Sequence, residues 1–309
     1  MRHRSKASAL KLLAPVLLAL GAAHASAQTM PSAAASATLA APRTGGDRAS
    51  METMQISSHG SPMNALVYVA AGAGPHPAVI LLHGFPGNER NLDLAQDIRR
   101  AGWDVLYFNY RGSWGTPGKF SFTHGIEDTA AALAYLRQPD VARKLRLDPT
   151  RIVLIGHSMG GFMAVETAAT DPAIKAVATI SAADFGGNFL ASLDKEPKAA
   201  AIEQLSKALA NESMAPLSGC TPKGLALDVA DHARAWSFSA NVDALKNRTA
   251  LVITADDGLA KQNQTFADEL TRAGDSKVTS AHFPTDHAYS DQRTELSSAV
   301  LHWLASLPN

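Results

Sequence analysis

Apolar and polar positions along the chain fall into short apolar runs separated by longer amphipathic stretches. Residues 63–70 (MNALVYVA) read as a strand, and a short strand around 54–58 is expected to pair with them. Residues 78–83 (AVILLH) are continuously apolar between Pro77 and Gly84, the pattern of a central strand buried on both faces. Further strands are expected over 105–110, 151–155, 174–180, 250–254 and 278–283. Helical spacing marks 91–101, 126–137, 162–169, 261–273 and 293–306, with Ala131, Leu133, Ala134 and Leu136 forming one apolar stripe. The Gly-rich stretch 111–125 reads as a long loop. This alternation predicts an α/β fold: a mostly parallel central sheet with helices on both faces.

One interval breaks the rhythm. Between the sixth and seventh strands, over about 185–245, the chain is far longer than a single crossover helix requires. Residues 197–210 and 225–235 have helical character, and 213–223 is loop-like. A cap over a substrate pocket is the preferred expectation; a plain structural excursion is the alternative.

Composition narrows the classes. Twenty-eight basic residues balance 28 acidic ones, which argues against a nucleic-acid partner. The single cysteine, Cys220, can form neither an internal disulfide nor a thiolate metal cage. Residues 1–27 read as a signal peptide. Arg2, Arg4, Lys6 and Lys11 precede an apolar run over 12–23, and Ala25-Ser26-Ala27 offers a cleavage site after Ala27. The run falls short of the ~20 residues that span a bilayer, so no stable membrane anchor is expected after cleavage. Losing four basic and no acidic residues would leave the mature chain acidic by four. A secreted or periplasmic protein is expected. Residues 28–50, rich in Ala, Ser, Thr, Pro and Gly, read as a flexible leader, with the folded domain at 51–309.

Three places carry candidate chemistry. Gly156-His157-Ser158-Met159-Gly160 lies between an expected strand and an expected helix. A sharp strand-to-helix turn pushes the serine hydroxyl out at the sheet edge, and its flanking glycines avoid collision with the neighbouring strand and helix. Ser158 needs a base. Among eleven histidines His287 is the candidate, because it follows the last strand and precedes the last helix; His282, inside that strand, is the competitor. The imidazole needs a carboxylate. Asp256 and Asp257 both follow the 250–254 strand; Asp257 is preferred because a residue or two of turn separates strand end from acid, leaving Asp256 to cap the helix near Leu259. An oxyanion hole would use the N–H groups of Met159 and of Phe85, in His83-Gly84-Phe85-Pro86-Gly87. His83 would tie that loop down. Trp114, Phe120 and Phe122 either line an apolar substrate pocket or pack their loop onto the domain.

His83-Gly84, Gly156-His157-Ser158-Met159-Gly160, then Asp256/Asp257 and His287 in that chain order resemble the α/β-hydrolase superfamily. The likeness runs from about residue 52 to the end. Asn109-Tyr110-Arg111-Gly112-Ser113-Trp114-Gly115 and Asp286-His287 are similar to the hydrolase domain of prolyl-oligopeptidase-type (S9) enzymes and small esterase relatives. The turn Ala255-Asp256-Asp257 is shorter than that family's usual acid turn, and no propeller precedes the domain. The resemblance implies a serine hydrolase acting on a small-molecule ester or short peptide, with no metal or organic cofactor. Esters are preferred; an S9-like peptidase, a thioesterase or an acyltransferase stays open. A non-catalytic ligand-binding protein on the same fold is the alternative of another class.

Overall fold

The computed structural model describes residues 47–274 and 277–308. In chain order the elements are β1 (Ser50–Ser58), β2 (Ser61–Val69), β3 (His76–Leu82), α1 (Leu92–Arg100), β4 (Asp104–Phe108), α2 (Phe122–Leu136), α3 (Pro139–Leu145), β5 (Leu147–His157), α4 (Met159–Thr170) and β6 (Ala176–Ile180). The insertion follows as α5 (Phe185–Leu193), α6 (Lys198–Asn211), α7 (Pro222–His232) and α8 (Phe238–Leu245). The chain closes with β7 (Thr249–Ala255), α9 (Ala260–Ala273), β8 (Val278–Phe283) and α10 (Arg293–Ser306).

Eight strands form one sheet in the order β1-β2-β4-β3-β5-β6-β7-β8. The β1–β2 and β2–β4 pairs are antiparallel and every later pair is parallel. Alternation along β3 divides the core. Ala78, Ile80 and Leu82 face the side covered by α2, α4 and α9, whereas Val79 and Leu81 face α1 and α10. Both faces are thus dry, which is why these strands read as continuous apolar runs. All of these elements lie in one compact unit, residues 45–309. Among the described residues no helix is long and apolar enough to cross a membrane.

The structure departs from the sequence expectations at several points. The loop expected over 111–125 ends early. Ser121 accepts a hydrogen bond from the His124 N–H and caps α2, so Phe122 is already helical. Three helices were not expected: α3, α5 and α8. Helix α5 (FGGNFLASL) carries two adjacent glycines, which lower helix propensity by about 1 kcal/mol each. A methyl group on Gly186 would collide with the Ala233 carbonyl, so the residue that hides the helix also lets it pack closely. The first strand begins at Ser50, one residue inside the segment read as a leader. The expected signal peptide and leader residues 28–46 lie outside the described residues.

Candidate active site

The site is built on the turn between β5 and α4. Ser158 has φ 57° and ψ −120°, a left-handed conformation that a non-glycine residue adopts only when its surroundings hold it there. Those surroundings are close. The Ser158 N–H donates to the Ile180 carbonyl at 2.9 Å, and its own carbonyl accepts from Gly161 at 3.0 Å and Ala183 at 3.1 Å. Side chains at Gly156 or Gly160 would run into the Gly160 and Leu82 carbonyls respectively. A Cβ on Gly84 would lie 3.0 Å from the Ser158 Cβ. The loop after β3 is therefore pressed against the serine.

The two titratable partners arrive from the ends of later strands. Asp257 follows β7 and His287 follows β8; Nδ1 of His287 lies 2.7 Å from Oδ2 of Asp257. A carboxylate oxygen accepts, so Nδ1 carries the proton in this bond. Burial would raise the Asp257 carboxyl, but hydrogen bonds from His287, Ser181 and the Leu259 N–H outweigh it and hold the group at about 2. It therefore stays ionised at neutral pH beside the imidazole.

Neighbouring residues fix this pair, and three of them were not singled out in the sequence. Ser181, at φ 45°, hydrogen-bonds the buried Tyr289 hydroxyl at 2.8 Å while supporting Asp257. Tyr289 is wholly buried, which raises its phenol above the ordinary range. His157 donates Nε2–H to the His287 main-chain carbonyl at 2.8 Å. Its place inside the Gly156–Gly160 motif, next to Ser158, is the one signal that would have pointed to His157; Ser181 and Tyr289 carry none.

Asp256 goes elsewhere. Its side chain is 66% exposed and pairs with His282 Nε2 at 3.2 Å, whereas the Asp257 side chain is 3% exposed. The cap expected from Asp256 is also absent: Asp257 itself accepts the Leu259 N–H at 3.0 Å, and α9 has no side-chain cap at Leu259. Successive residues at a strand end point to opposite sides, so only one of the two acids can face the serine.

Phe85 lies in the loop after β3 that is pressed against Ser158, and Met159 opens α4 directly after it. Among the described residues no turn or cap hydrogen bond between backbone groups is donated by either N–H. His83 anchors the Phe85 loop. Its Nδ1 donates to the Gly84 carbonyl at 2.8 Å, and the ring packs against Tyr107 and Tyr110. Burial lowers its pKa to about 4, so the ring stays neutral.

The aromatic loop takes the packing role and not the pocket-lining one. Phe120 and Phe122 are buried in the core behind Phe85, with ring centroids 5.8 and 5.9 Å from it. Trp114 donates Nε1–H to the Pro86 carbonyl at 2.8 Å and lies under the Arg90 guanidinium at 4.1 Å. None of the three lines the cavity above Ser158. Buried Arg111 ties the loop down by pairing with Asp128 and Glu127.

That cavity, about 740 Å³, has Ser158, Asp257, His287 and Phe85 at its base and α5 and α6 as its roof. The insertion between the sixth and seventh strands is thus a helical cap. A volume of this size accommodates a small organic molecule.

Comparison with known proteins agrees with the architecture. Residues 77–278 match the family model described as alpha/beta hydrolase fold. The quorum-quenching protein AidA of Acinetobacter baumannii (strain MDR-ZJ06) is 31% identical over 150 residues, 47% of each chain. The sn-1-specific diacylglycerol lipase ABHD11 of Danio rerio is 32% identical over 130 residues, 41% of this chain and 37% of that one. The chain thus spans about half the length of the first relative and less of the second. Among solved structures, a thermostable carboxyl esterase from Bacillus coagulans in complex with glycerol superposes with TM-score 0.62 at 15% identity, covering 83% of this chain and 98% of that one. EstE1, a thermophilic carboxylesterase cloned from a metagenomic library, superposes with TM-score 0.58 at 20% identity over 86% and 92%. With the family match running through most of the described sheet and across the Ser158 turn, the chain belongs to the alpha/beta hydrolase fold family.

Proposed function

We propose that the protein is a serine hydrolase that cleaves carboxylic esters through Ser158, His287 and Asp257. The observation that carries the reading is the 2.7 Å contact of His287 Nδ1 with Asp257, in a cavity whose floor also holds the strained Ser158 turn. Nε2 of His287 takes the proton as the Ser158 oxygen attacks the ester carbonyl. Negative charge then develops on the carbonyl oxygen, and the N–H groups of Phe85 and Met159 receive it. His287, now imidazolium beside the ionised Asp257, protonates the departing alcohol. Water repeats the sequence and releases the acid.

The named activities of the relatives, lipase and carboxylesterase, point the same way, and ester bonds are the easier class to break. The pattern of residues 1–27 supports export from the cytoplasm, with the mature chain starting at Gln28.

A fluorophosphonate probe tests the reading, because it reacts with an activated serine whatever the natural substrate. The folded protein should label at Ser158, and Ser158→Ala should abolish both labelling and p-nitrophenyl ester turnover while melting at the same temperature. A folded parent protein that never labels, or undiminished turnover by Ser158→Ala, overturns it.

A further inference from the structure

The roof of the cavity carries chemistry that the hydrolytic residues do not explain. On α5, Phe185, Asn188, Phe189 and Ser192 recur at intervals of three and four, so they share one side of the helix. On α6, Ala201, Leu205, Ala208 and Leu209 do the same, and all eight line the cavity. Phe185, Phe189, Leu205 and Leu209 thus give the wall above Ser158 an apolar part, with Asn188, Ser192 and Gln204 beside it. The small side chains of Ala201 and Ala208 keep the cavity open along α6.

The charged groups are one-sided. Apart from the Asp257–His287 pair, the ionisable residues lining the cavity are Glu196 and Glu212, at the two ends of the α6 segment. Among the described residues no lysine or arginine lines it. The cations of α6 are engaged elsewhere: Lys198 pairs with Asp231 at 3.7 Å and Lys207 with Glu203 at 3.5 Å. Glu196 is itself half-buried and accepts a hydrogen bond from Gln204, which holds it at the lining. Glu212 is exposed at the rim, so an anion entering this space would gain no cationic partner and meet like charge from half-buried Glu196 and, at the rim, from Glu212.

We propose that the substrate is an uncharged ester with an extended apolar acyl chain lying between α5 and α6, and that Glu196 and Glu212 exclude negatively charged acyl groups. The proposal rests on the ester-hydrolase reading and deepens it. It sets neutral acyl groups apart from acyl groups that end in a carboxylate.

The test uses two esters with the same leaving group and chain length: p-nitrophenyl hexanoate and the mono-p-nitrophenyl ester of adipic acid. With the full protein, kcat/KM should rise from acetate to hexanoate and favour hexanoate over the adipate ester by about tenfold or more. Since the apolar wall alone disfavours a carboxylate, the double variant Glu196→Gln/Glu212→Gln isolates the acids. It should narrow the ratio severalfold. A ratio near one in the parent, an unchanged ratio in the double variant, or a preference for acetate overturns the proposal. Calorimetric binding of methyl hexanoate and monomethyl adipate to Ser158→Ala reads the same preference without turnover. Charge-dependent binding with no turnover by the parent refutes the hydrolase reading and keeps this one; turnover without preference does the reverse.

Discussion

His157, the residue before Ser158, reaches across to the polypeptide backbone of His287 and donates Nε2–H to its carbonyl at 2.8 Å. Two segments 130 positions apart are joined by this bond at the point where the serine and the imidazole meet the cavity. The His157 ring also packs against that of His287, tilted by 38° with centroids 4.7 Å apart. Burial, and then the neighbouring His287, lowers the His157 pKa to about 3, so the ring is a permanent neutral donor.

Removing that donor should loosen the His287 loop. His157→Ala is expected to lower kcat on p-nitrophenyl esters by about tenfold, the scale of one buried hydrogen bond at about 1–2 kcal/mol. His157→Gln, which keeps an N–H donor, should recover part of the loss. Steady-state kinetics beside thermal melts distinguishes this from simple unfolding; an equal rate in the alanine variant contradicts it.

The two adjacent aspartates make opposite predictions. Asp257→Asn removes the acceptor for His287 Nδ1–H and favours the wrong tautomer, so kcat should fall by roughly 10³–10⁴. Asp256→Asn touches only the exposed His282 pair, and its kcat should stay within about threefold of the parent. Comparable losses in the two variants would contradict the assignment of the acid.

Glu166 predicts a pH effect on stability. It sits buried on α4, where Asn241 of α8 donates to it at 2.7 Å. Burial pushes its carboxyl up from 4.5 to about 8; the Asn241 bond opposes the shift and nearby Asp184 adds to it. Because the folded value is the higher one, the folded chain binds more protons than the unfolded chain between about 4.5 and 8. Its stabilising contribution is complete below that window and is lost as pH rises through it. Glu166→Gln stays neutral while keeping an acceptor for Asn241. Its melting temperature should gain on the parent between pH 5 and pH 9, by the equivalent of roughly a few kcal/mol. A constant difference across that range would rule the effect out.

Local chemistry made the strand-to-helix turn at Ser158 readable from the sequence. Gly156, Ser158 and Gly160 are neighbours in the chain, and the turn that needs them is formed by those same residues. The eight strands and the helices flanking most of them were legible for a similar reason: burial on one or both faces writes its period directly into consecutive side chains. Helix α5 was not, because Gly186, one of its two glycines, serves a packing contact with Ala233 that lies far away in the chain.

What depended on the folded chain is every choice between local equals. Asp256 and Asp257 have the same side chain and sit on the same turn, and β8 brings a histidine to each: His282 to the exposed side, His287 to the buried one. Trp114, Phe120 and Phe122 suit a pocket or a core equally well by composition, and the return of the β3 loop set Phe120 and Phe122 behind Phe85 and tied Trp114 to the Pro86 carbonyl. The cavity wall itself belongs to α5 and α6, whose faces acquire a shared direction only when the insertion folds back over the sheet. Identity of residue type is a property of the chain; which side of a surface a residue ends on depends on elements that arrive from elsewhere.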